Sequence, residues 1–248
     1  MESTQSTRRG QSKKLLSSAT KQGHIAALLK LFGFLVKRGY LLANPAHELE
    51  RPRQSHPLPR GILTVREMFK ILAQAEGSTP LEMRNRAALE LLYSTGMRSG
   101  EFAKLTLESL RLDERLILVD GKGSRERLVP VGQEAVRSLS GYLRLSRPTF
   151  SRARSSALFL TVRGGAMQPY SLLRVLKALA KRARIRKKID LHSIRHTCAT
   201  HMLQNGADIR HIQVILGHES LKTTQLYTRV ETSDLRKMLD ECHPREKF

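Results

Sequence analysis

Seven residues of this chain have side chains that suit chemistry at a phosphate ester. They are Arg98, Glu101, Lys122, His192, Arg195, His218 and Tyr227. They fall in four short patterns, which read TGMRSGE, GKGSRER, HSIRH and LGHESLKTTQLYTRV. Arginines, a lysine and histidines beside one tyrosine form a set suited to attack by a phenolic oxygen on a phosphodiester. The cationic members would stabilise the negative charge that develops during the attack.

The two arginines are the predicted ligands of the phosphate. The pentacoordinate transition state carries more negative charge than the diester, so it needs donors already aimed at the non-bridging oxygens. A guanidinium binds two oxygens at once and keeps its proton at neutral pH, which makes Arg98 and Arg195 the best candidates. His192 and Arg195 are three positions apart on one predicted helix, so they project from the same face.

Tyr227 is the predicted nucleophile. An unperturbed tyrosine pKa of about 10 requires help from a base, and we assign that role to His192. Lys122 would protonate the leaving 5′ oxygen as a general acid, and His218 would donate a hydrogen bond to a phosphate oxygen. Attack conserves the bond energy in a phosphotyrosine ester. A second hydroxyl then attacks this ester and reseals the strand. The reaction therefore needs no cofactor, no ATP and no metal, and the sequence contains no GxxxxGK[ST] phosphate-binding loop.

Each of these residues has a simpler interpretation when it is taken alone. An arginine in a basic protein is usually a surface residue or a phosphate clamp. Lys122 could be only a lysine at a hairpin tip, and Tyr227 only a core or interface tyrosine. Glu101, one turn after Arg98, could form no more than a helix salt bridge. The joint order and spacing of the four patterns favour the chemical interpretation.

A zinc site is the alternative for the histidines. His192 and His196 have a spacing that can hold zinc, but Arg195 lies between them and no set of further ligands is near in the sequence. We therefore predict no metal site. His196, His201 and His211 are predicted to pack in the core or to contact DNA.

The charge of the chain indicates a polyanionic partner. Lys and Arg number 44 against 22 Asp and Glu, which gives a formal net charge of +22. Self-repulsion of this size opposes the compact state, so a nucleic-acid backbone is the favoured explanation over an anionic membrane. Binding to several phosphates should depend steeply on salt. The predicted DNA-binding residues are Arg51, Arg53, Arg60, Lys181, Arg182 and Arg184.

The sequence predicts a cytoplasmic protein without a membrane partner. The most apolar stretch, Ile25–Val36, is too short for a membrane span and contains Lys30. The amino terminus is polar and lacks the apolar segment of a signal peptide. The two cysteines, Cys198 and Cys242, cannot support a disulfide framework.

Periodicity and capping patterns predict a mainly α fold with a small antiparallel β-sheet, which is the α+β class. A helix is expected over Thr20–Tyr40, and Thr64–Glu67 is a capping box that begins a helix ending near Gln74. Pro80 and Gly96 bound the next helix. Two β-rich runs between 115 and 131 predict a hairpin, and a short strand is expected at 157–161. Further helices are predicted at 133–145, 169–184, 191–204 and 208–216, near Tyr227, and at 232–240.

From about position 62 to 240 the chain resembles the catalytic domain of tyrosine recombinases, the phage-integrase family, and is similar to its Xer-like branch. The patterns TGMRSGE, GKGSRERLVP, LHSIRHTCATHML and LGHESLKTTQLYT match that family in order and spacing. The resemblance implies Tyr227 as the nucleophile and Glu101 as a supporting acidic residue. It also implies a phosphate-activating set, namely Arg98, Lys122, His192, Arg195 and His218.

The resemblance further implies a site-specific recombinase that cuts and rejoins DNA through 3′-phosphotyrosine links. The expected partner is a double-stranded DNA recombination site. Two duplexes would be held by a homo-tetramer, or by a hetero-tetramer with a related recombinase. A C-terminal segment, 231–248, would dock onto the neighbouring protomer through Leu235, Met238 and Leu239.

Composition predicts the tail and the linker, and the resemblance adds the two domains on either side of the linker. Positions 1–19 are a disordered basic tail, 20–53 a partial helical core-binding domain for DNA, 54–61 a linker and 62–248 the tyrosine-recombinase-like catalytic domain. Only the last two helices of the family's usual DNA clamp are recognisable. This shortening motivates an alternative, a non-catalytic site-specific DNA-binding protein that regulates recombination or transcription. A third interpretation is a relaxing enzyme similar to type IB topoisomerases, which shares the chemistry.

Overall fold

The computed structural model describes residues 16–50, 52, 61–121, 126–150, 155–217 and 232–247. The chain divides into two compact units, Met1–Leu58 and Pro59–Phe248, and this division falls inside the predicted linker 54–61. The predicted helix near Tyr227 and the tip of the predicted hairpin lie outside the described residues. So do six predicted site residues, which are Arg51, Arg53, Arg60, Lys122, His218 and Tyr227.

The first unit contains one helix, α1 (Ser18–Lys37), among its described residues. The side chain of Ser17 accepts the amide of Thr20 and begins the helix. Leu31 and Phe34 are each 53% exposed, so this helix carries apolar side chains on its open surface. The predicted helix over 20–40 is confirmed, and a turn follows it at positions 45–48.

The second unit is mainly helical, as predicted. Its described α-helices are α2 (Val65–Ala73), α3 (Pro80–Thr95), α4 (Ser99–Lys104), α5 (Gln133–Gly141), α6 (Arg147–Phe150), α7 (Pro169–Arg182), α8 (Leu191–Gln204), α9 (Ile209–Leu216), α10 (Thr232–Cys242) and α11 (Pro244–Lys247). A short 3-10 turn covers Leu107–Ser109, and a π-helical segment, Tyr142–Ser146, joins α5 to α6. Within the described residues, no helix has the length and apolarity that crossing a membrane requires.

Local capping residues define the ends of the helices that precede the candidate site. Thr64 and Glu67 form the predicted capping box, with reciprocal hydrogen bonds of 3.2 and 2.7 Å. Gly96 ends α3 in the left-handed conformation, with φ 57°. The structure confirms both predictions. Each could be made from the sequence because it depends only on contacts between residues that are close in the chain.

The sheet has three antiparallel strands in the order β1 (Leu110–Arg111), β2 (Leu116–Asp120) and β3 (Glu126–Pro130). The predicted hairpin is confirmed, and its two strands pair from Leu116 with Pro130 to Asp120 with Glu126. The strand predicted at 157–161 is wrong. Ala157 and Leu160 make only isolated pairings, because the chain turns back at once through a hydrogen bond from Thr161 to Gly165.

The core of the second unit surrounds α3, which packs against α5 and α8. Leu89, Leu91 and Leu92 of α3 are fully buried. The hydroxyl of Tyr142 donates to the carbonyl of Leu158 and accepts the amide of Leu160, both at 3.1 Å, so the irregular segment is tied to the π-helical region. Burial of these apolar side chains is the main force that holds the helices around the sheet.

The C-terminal helices pack onto this core within the same chain. Leu235, Met238 and Leu239, the predicted docking face for a neighbouring protomer, are 4%, 6% and 0% exposed. In this structure they are therefore covered by the chain's own residues, and docking onto another protomer stays a prediction. The guanidinium of Arg245 in α11 holds the carboxylate of Glu90 through two hydrogen bonds of 3.1 and 2.6 Å.

Two buried histidines meet at Tyr93 of α3, His201 from α8 and His243 from the junction of α10 and α11. The Nε2 of His201 donates to the carbonyl of Leu63, and burial lowers the pKa of this ring, so in its neutral form Nδ1 accepts the hydroxyl proton of Tyr93. The Nε2 of His243 donates to the carbonyl of Tyr93, and its Nδ1 accepts the amide of Arg245. Both rings are thus neutral in the fold, which confirms core packing for His201.

We expect stability to fall as the pH drops below about 6.5, the ordinary histidine pKa. Burial lowers the pKa of His243 from 6.5 to about 4, despite the hydrogen bond to Tyr93. Below pH 6.5 the unfolded chain therefore binds a proton at this histidine, whereas the folded chain binds it only near pH 4. This difference between the two pKa values corresponds to about 3 kcal/mol of stability. Urea unfolding at pH 7.5 and at pH 5 should show about 2 kcal/mol of this difference, because pH 5 is still above the pKa of the folded state.

The control for this effect is His243→Gln, whose side-chain amide can still donate to the carbonyl of Tyr93. This variant should unfold with a weaker dependence on pH than the unaltered chain. Burial also lowers the pKa of His201, which leaves part of the dependence in place. An equal dependence in both proteins would show that His243 does not contribute to it.

Candidate active site

Arg98 lies at the junction between α3 and α4, where local structure fixes its backbone. Gly96 ends α3, and Arg98 then adopts an extended conformation (φ −73°, ψ 149°) as the residue that caps α4. Its amide donates to Glu101 at 2.8 Å, and its Nη1 donates to the other carboxylate oxygen of Glu101 at 2.9 Å. A Cβ at position 96 would lie 2.6 Å from the Leu216 side chain, so this tight junction requires glycine.

Arg195 is held in the core by carbonyl groups from two other elements. It is 4% exposed and donates from Nη1 to the carbonyl of Gly96 at 2.9 Å and from Nη2 to that of Leu216 at 2.7 Å. Burial, and after it the positive charge of Arg98, lowers the pKa of Arg195 to about 10. The guanidinium therefore still carries its charge at neutral pH, in a fixed orientation.

Glu101 is a buried carboxylate that pairs with two arginines. It is 5% exposed and accepts hydrogen bonds of 3.0 and 2.9 Å from Arg127, in addition to those from Arg98. Burial alone would raise the pKa of Glu101, but the hydrogen bonds from Arg127 and Arg98 outweigh it and hold that pKa below its usual value. The supporting acidic residue is thus ionised and balances part of the cationic charge.

His192 lies in the first turn of α8, which begins where Asp190 accepts the amide of Ser193 at 2.7 Å. Its side chain is exposed, and its ring lies edge-on to that of His196, with centroids 4.4 Å apart. Burial, and then the neighbouring His192, lowers the pKa of His196. An exposed imidazole beside a second imidazole is placed to accept a proton from solvent or from a bound molecule.

These side chains meet in one pocket of about 640 Å³. Among the residues that line it are Arg98, Glu101, His192 and Arg195, and Lys104 and Asp120 form a 2.8 Å ion pair at its edge. The structure therefore brings together three of the predicted phosphate ligands and bases with the predicted acidic residue. Arg98 and Arg195 are 97 positions apart in the sequence, so only the tertiary fold can join them.

Lys122, His218 and Tyr227 lie outside the described residues. Gly121 and Gly217 are the described residues that immediately precede Lys122 and His218. Gly121 lines the pocket, and the carbonyl of Gly217 accepts a hydrogen bond of 2.8 Å from Nη2 of Arg98. The residue that precedes Lys122 thus lines the pocket, and the residue that precedes His218 contacts a side chain that lines it.

The predicted DNA-binding residues that are described lie at the C-terminal end of α7 and just beyond it. Lys181, Arg182 and Arg184 are all exposed, and Arg184 has a positive φ of 57°. A second depression beside them is lined by further basic side chains, namely Lys177, Arg186, Lys187 and Lys188. Such a concentration of exposed cations suits a polyphosphate backbone.

No group of three His, Cys, Asp or Glu side chains suitable for a metal ion occurs within the described ranges. The zinc alternative for His192 and His196 therefore finds no third ligand among those residues. The chemistry of the pocket is instead that of guanidinium and imidazole groups, which bind and stabilise an anion.

Arg127 binds the acidic residue of this site, although it is not one of the predicted site residues. Its side chain is 16% exposed and holds Glu101 through both oxygens. Arg127 and the fully buried Val129 are two positions apart on β3, so both lie on the inner face of the strand. That alternation is the signal in the sequence that could have identified Arg127.

Comparisons with known proteins agree on one family. The Phage integrase family matches residues 62–234. The chain is 43% identical over 230 residues to "Tyrosine recombinase XerC 2" of Ralstonia nicotianae, which covers 92% of this chain and 66% of that protein. It is 38% identical to "Tyrosine recombinase XerD" of Listeria innocua, which covers 90% of this chain and 75% of that protein.

Solved structures show the same likeness. XerA recombinase has a TM-score of 0.60 at 32% identity, over 90% of this chain and 75% of that one. XerH recombinase bound to its difH substrate in a post-cleavage complex has a TM-score of 0.71 at 28% identity, over 91% of this chain and 67% of that one. The chain thus spans about two thirds to three quarters of the length of these relatives.

Proposed function

We propose that this chain, which belongs to the phage integrase family, is a site-specific DNA recombinase that cleaves and rejoins strands through a 3′-phosphotyrosine intermediate. The observation that carries the proposal is the convergence of Arg98, His192 and Arg195 with Glu101 in one pocket. Relatives of similar sequence are named tyrosine recombinases, and XerH is described in a complex with its DNA substrate. The proposed partner is accordingly a double-stranded recombination site.

In the proposed reaction the arginines bind the scissile phosphate. Both arginines line the pocket. The Arg98 side chain is 43% exposed, whereas Arg195 is buried. Their fixed charges would compensate the extra negative charge of the transition state without reorganisation of solvent. Glu101 keeps Arg98 in place, and His218 would complete the donors to the non-bridging oxygens.

The covalent steps are assigned to three residues. The phenolic oxygen of Tyr227 attacks phosphorus and forms the phosphotyrosine bond, while its proton passes to His192. The bond from phosphorus to the 5′ oxygen breaks, and Lys122 gives that oxygen its proton. A 5′ hydroxyl from another strand then reverses these steps, so no net bond energy is consumed and neither ATP nor a metal enters.

The proposed assembly is four subunits on two duplexes, either all of this chain or mixed with a related recombinase. The exposed cations Lys181, Arg182 and Arg184 would contact the DNA backbone and fix the register of the second unit on the duplex. Residues 62–248 would form the catalytic domain, and 20–53 a partial second DNA-binding domain. Arg51, Arg53 and Arg60 would extend the backbone contacts along the segment that joins the two.

Covalent capture of DNA tests this function. The purified chain is incubated with a library of nicked duplexes in which the cleaved strand loses a short fragment and cannot be rejoined. Protein–DNA adducts that survive denaturation are isolated and their DNA is sequenced. We expect adducts that share one short motif.

Other outcomes identify other functions. Selective binding with no adduct on any duplex would overturn the recombinase and support a non-catalytic DNA-binding protein. Adducts without a shared sequence, together with relaxation of any supercoiled plasmid, would support a topoisomerase-like relaxing enzyme instead.

Lys122→Ala should slow cleavage of an ordinary phosphodiester and be partly rescued by a better leaving group. A 5′-bridging phosphorothiolate needs no proton on its departing sulfur, so the general acid becomes dispensable. Single-turnover cleavage of the two substrates by both proteins measures the rescue. An equal defect on the two substrates would argue against proton transfer by Lys122.

A further inference from the structure

The last turn of α9 is bound by three arginines from three different elements. Arg127 of β3 donates from Nε to the carbonyl of Ile215 at 3.3 Å, and Arg195 of α8 donates to that of Leu216 at 2.7 Å. Arg98 donates to that of Gly217 at 2.8 Å. These three successive carbonyls have no partner within the helix, and they lie at the negative end of its dipole.

The Arg127 guanidinium also packs against Gly217 at the end of this turn. Gly217 has φ 66°, and a Cβ there would lie 2.9 to 3.1 Å from three atoms of the Arg127 guanidinium. The guanidinium therefore lies flat against the backbone of the residue that immediately precedes His218. A side chain at position 217 would push the two apart, which explains glycine at this position.

Arg127 also controls the charge balance of the cradle formed by Arg98 and Arg195. Besides burial, the charges of Arg98 and Arg127 lower the pKa of Arg195, whereas the charge of Glu101 raises it. Glu101 can play this part only while it is ionised, and its hydrogen bonds with Arg127 are the largest influence that keeps its pKa low against burial. Without Arg127, this buried carboxylate would lose two of its hydrogen bonds.

We propose that Arg127 is a positioning residue of the recombination reaction. It holds Glu101 and the last turn of α9 in register, so that Arg98 and Arg195 point at one phosphate and the chain enters His218 at the right place. Arg127 is not among the residues that line the pocket, so within the described structure it acts through other residues. It also lies on the strand that follows Lys122, so it joins the hairpin to α9. This inference rests on the proposed function.

The structure offers a matched control for the ion pair. Arg245 holds the buried Glu90 through two hydrogen bonds, as Arg127 holds Glu101, and its side chain is 14% exposed against 16% for Arg127. Arg245 lies in α11 and does not line the candidate active site. Loss of either arginine removes two hydrogen bonds from a buried carboxylate that keeps one other arginine nearby, Arg98 for Glu101 and Arg86 for Glu90, so the two substitutions to alanine should destabilise the fold comparably.

The first experiment compares Arg127→Ala, Arg127→Lys and Arg245→Ala in single-turnover cleavage of a captured nicked duplex at saturating protein. Displacement of catalytic groups by about 1 Å costs about 100-fold, so we expect Arg127→Ala to cleave about tenfold to 100-fold more slowly. DNA affinity should stay unchanged. Arg127→Lys, which keeps one hydrogen bond, should be intermediate, and added guanidinium ion should partly restore Arg127→Ala. Arg245→Ala should cleave as the unaltered chain does.

A double-mutant cycle tests the route through Glu101. Because the proposed effect passes through this carboxylate, Arg127→Ala should slow cleavage less in a Glu101→Gln background than in the unaltered chain. Full additivity of the two substitutions, or an equal loss of cleavage in Arg245→Ala, would overturn the proposal and leave Arg127 a structural ion pair.

Hydrogen exchange measures the positioning without any reaction. Amides at 98–102 and at the C-terminal end of α9 should exchange faster in Arg127→Ala than in Arg245→Ala, at equal global stability. Equal exchange in the two variants would overturn the proposal. If the unaltered chain never cleaves DNA, the proposed function fails, whereas the exchange result still decides whether Arg127 holds these groups in place.

Discussion

Tyr227→Phe should form no covalent adduct with a nicked duplex, although it should bind the same DNA as the unaltered chain. This is the largest effect that we expect. The substitution removes only the phenolic oxygen, which in the proposed reaction is the atom that bonds to phosphorus. Loss of a covalent nucleophile costs on the order of 10⁶ in rate where it has been measured, so the adduct should fall below detection. Denaturing gels measure the adduct, and gel shifts measure binding.

Tyr170→Phe is the matched control, because Tyr170 is 70% exposed at the beginning of α7. It loses the same hydroxyl and should form the adduct normally. Digestion of the wild-type adduct should recover the DNA on a peptide that contains Tyr227. An undiminished adduct in Tyr227→Phe would overturn the assignment of the nucleophile, though not membership of the family.

Arg98→Ala should lose transition-state stabilisation much more than DNA affinity. Removal of one preorganised donor to a developing oxyanion costs about 3–4 kcal/mol, or about 10²–10³-fold in rate. Arg98 is the better choice for this test, because its side chain is 43% exposed whereas Arg195 is 4% exposed. Arg195→Ala would also leave the carbonyls of Gly96 and Leu216 without this donor and so destabilise the fold. Single-turnover cleavage at saturating protein isolates the chemical step.

Arg182→Ala controls for the loss of one positive charge. Arg182 is exposed at the C-terminal end of α7, so its removal should weaken binding and lower the salt dependence while the cleavage rate at saturation is unchanged. Arg98→Ala should instead slow cleavage at saturating protein and change DNA affinity much less. A collapse of binding that matched the loss of cleavage would mean that Arg98 only clamps DNA.

The structure changes the interpretation of the C-terminal segment. The sequence predicts a helix at 232–240, and the family resemblance implies that its apolar face docks onto a neighbouring protomer. The helix is present, but Leu235, Met238 and Leu239 are buried within the same chain, and the Arg245–Glu90 pair anchors the helix that follows. Periodicity shows that a face is apolar, but it does not show which surface covers it.

Local chemistry was predictable from the sequence. Capping residues, a glycine after a helix and alternation in a hairpin depend on neighbours a few positions away, so the beginning of α2, the end of α3 and the β2–β3 pairing were predicted correctly. The same-face placement of His192 and Arg195 follows from helix geometry alone. The predicted strand at 157–161 was wrong because an apolar run does not reveal whether a partner strand is available.

The amino-acid sequence by itself determined which groups are available for phosphate chemistry and which helix or hairpin carries them. Only the tertiary structure decided that Arg98, Glu101 and Arg195 share one pocket, and that Arg127 fastens Glu101 and the end of α9 to it. The physical reason is that these contacts join residues far apart in the chain. Long-range packing of a hydrophobic core brings them together, and no local pattern encodes which buried carboxylate or carbonyl a given arginine will find.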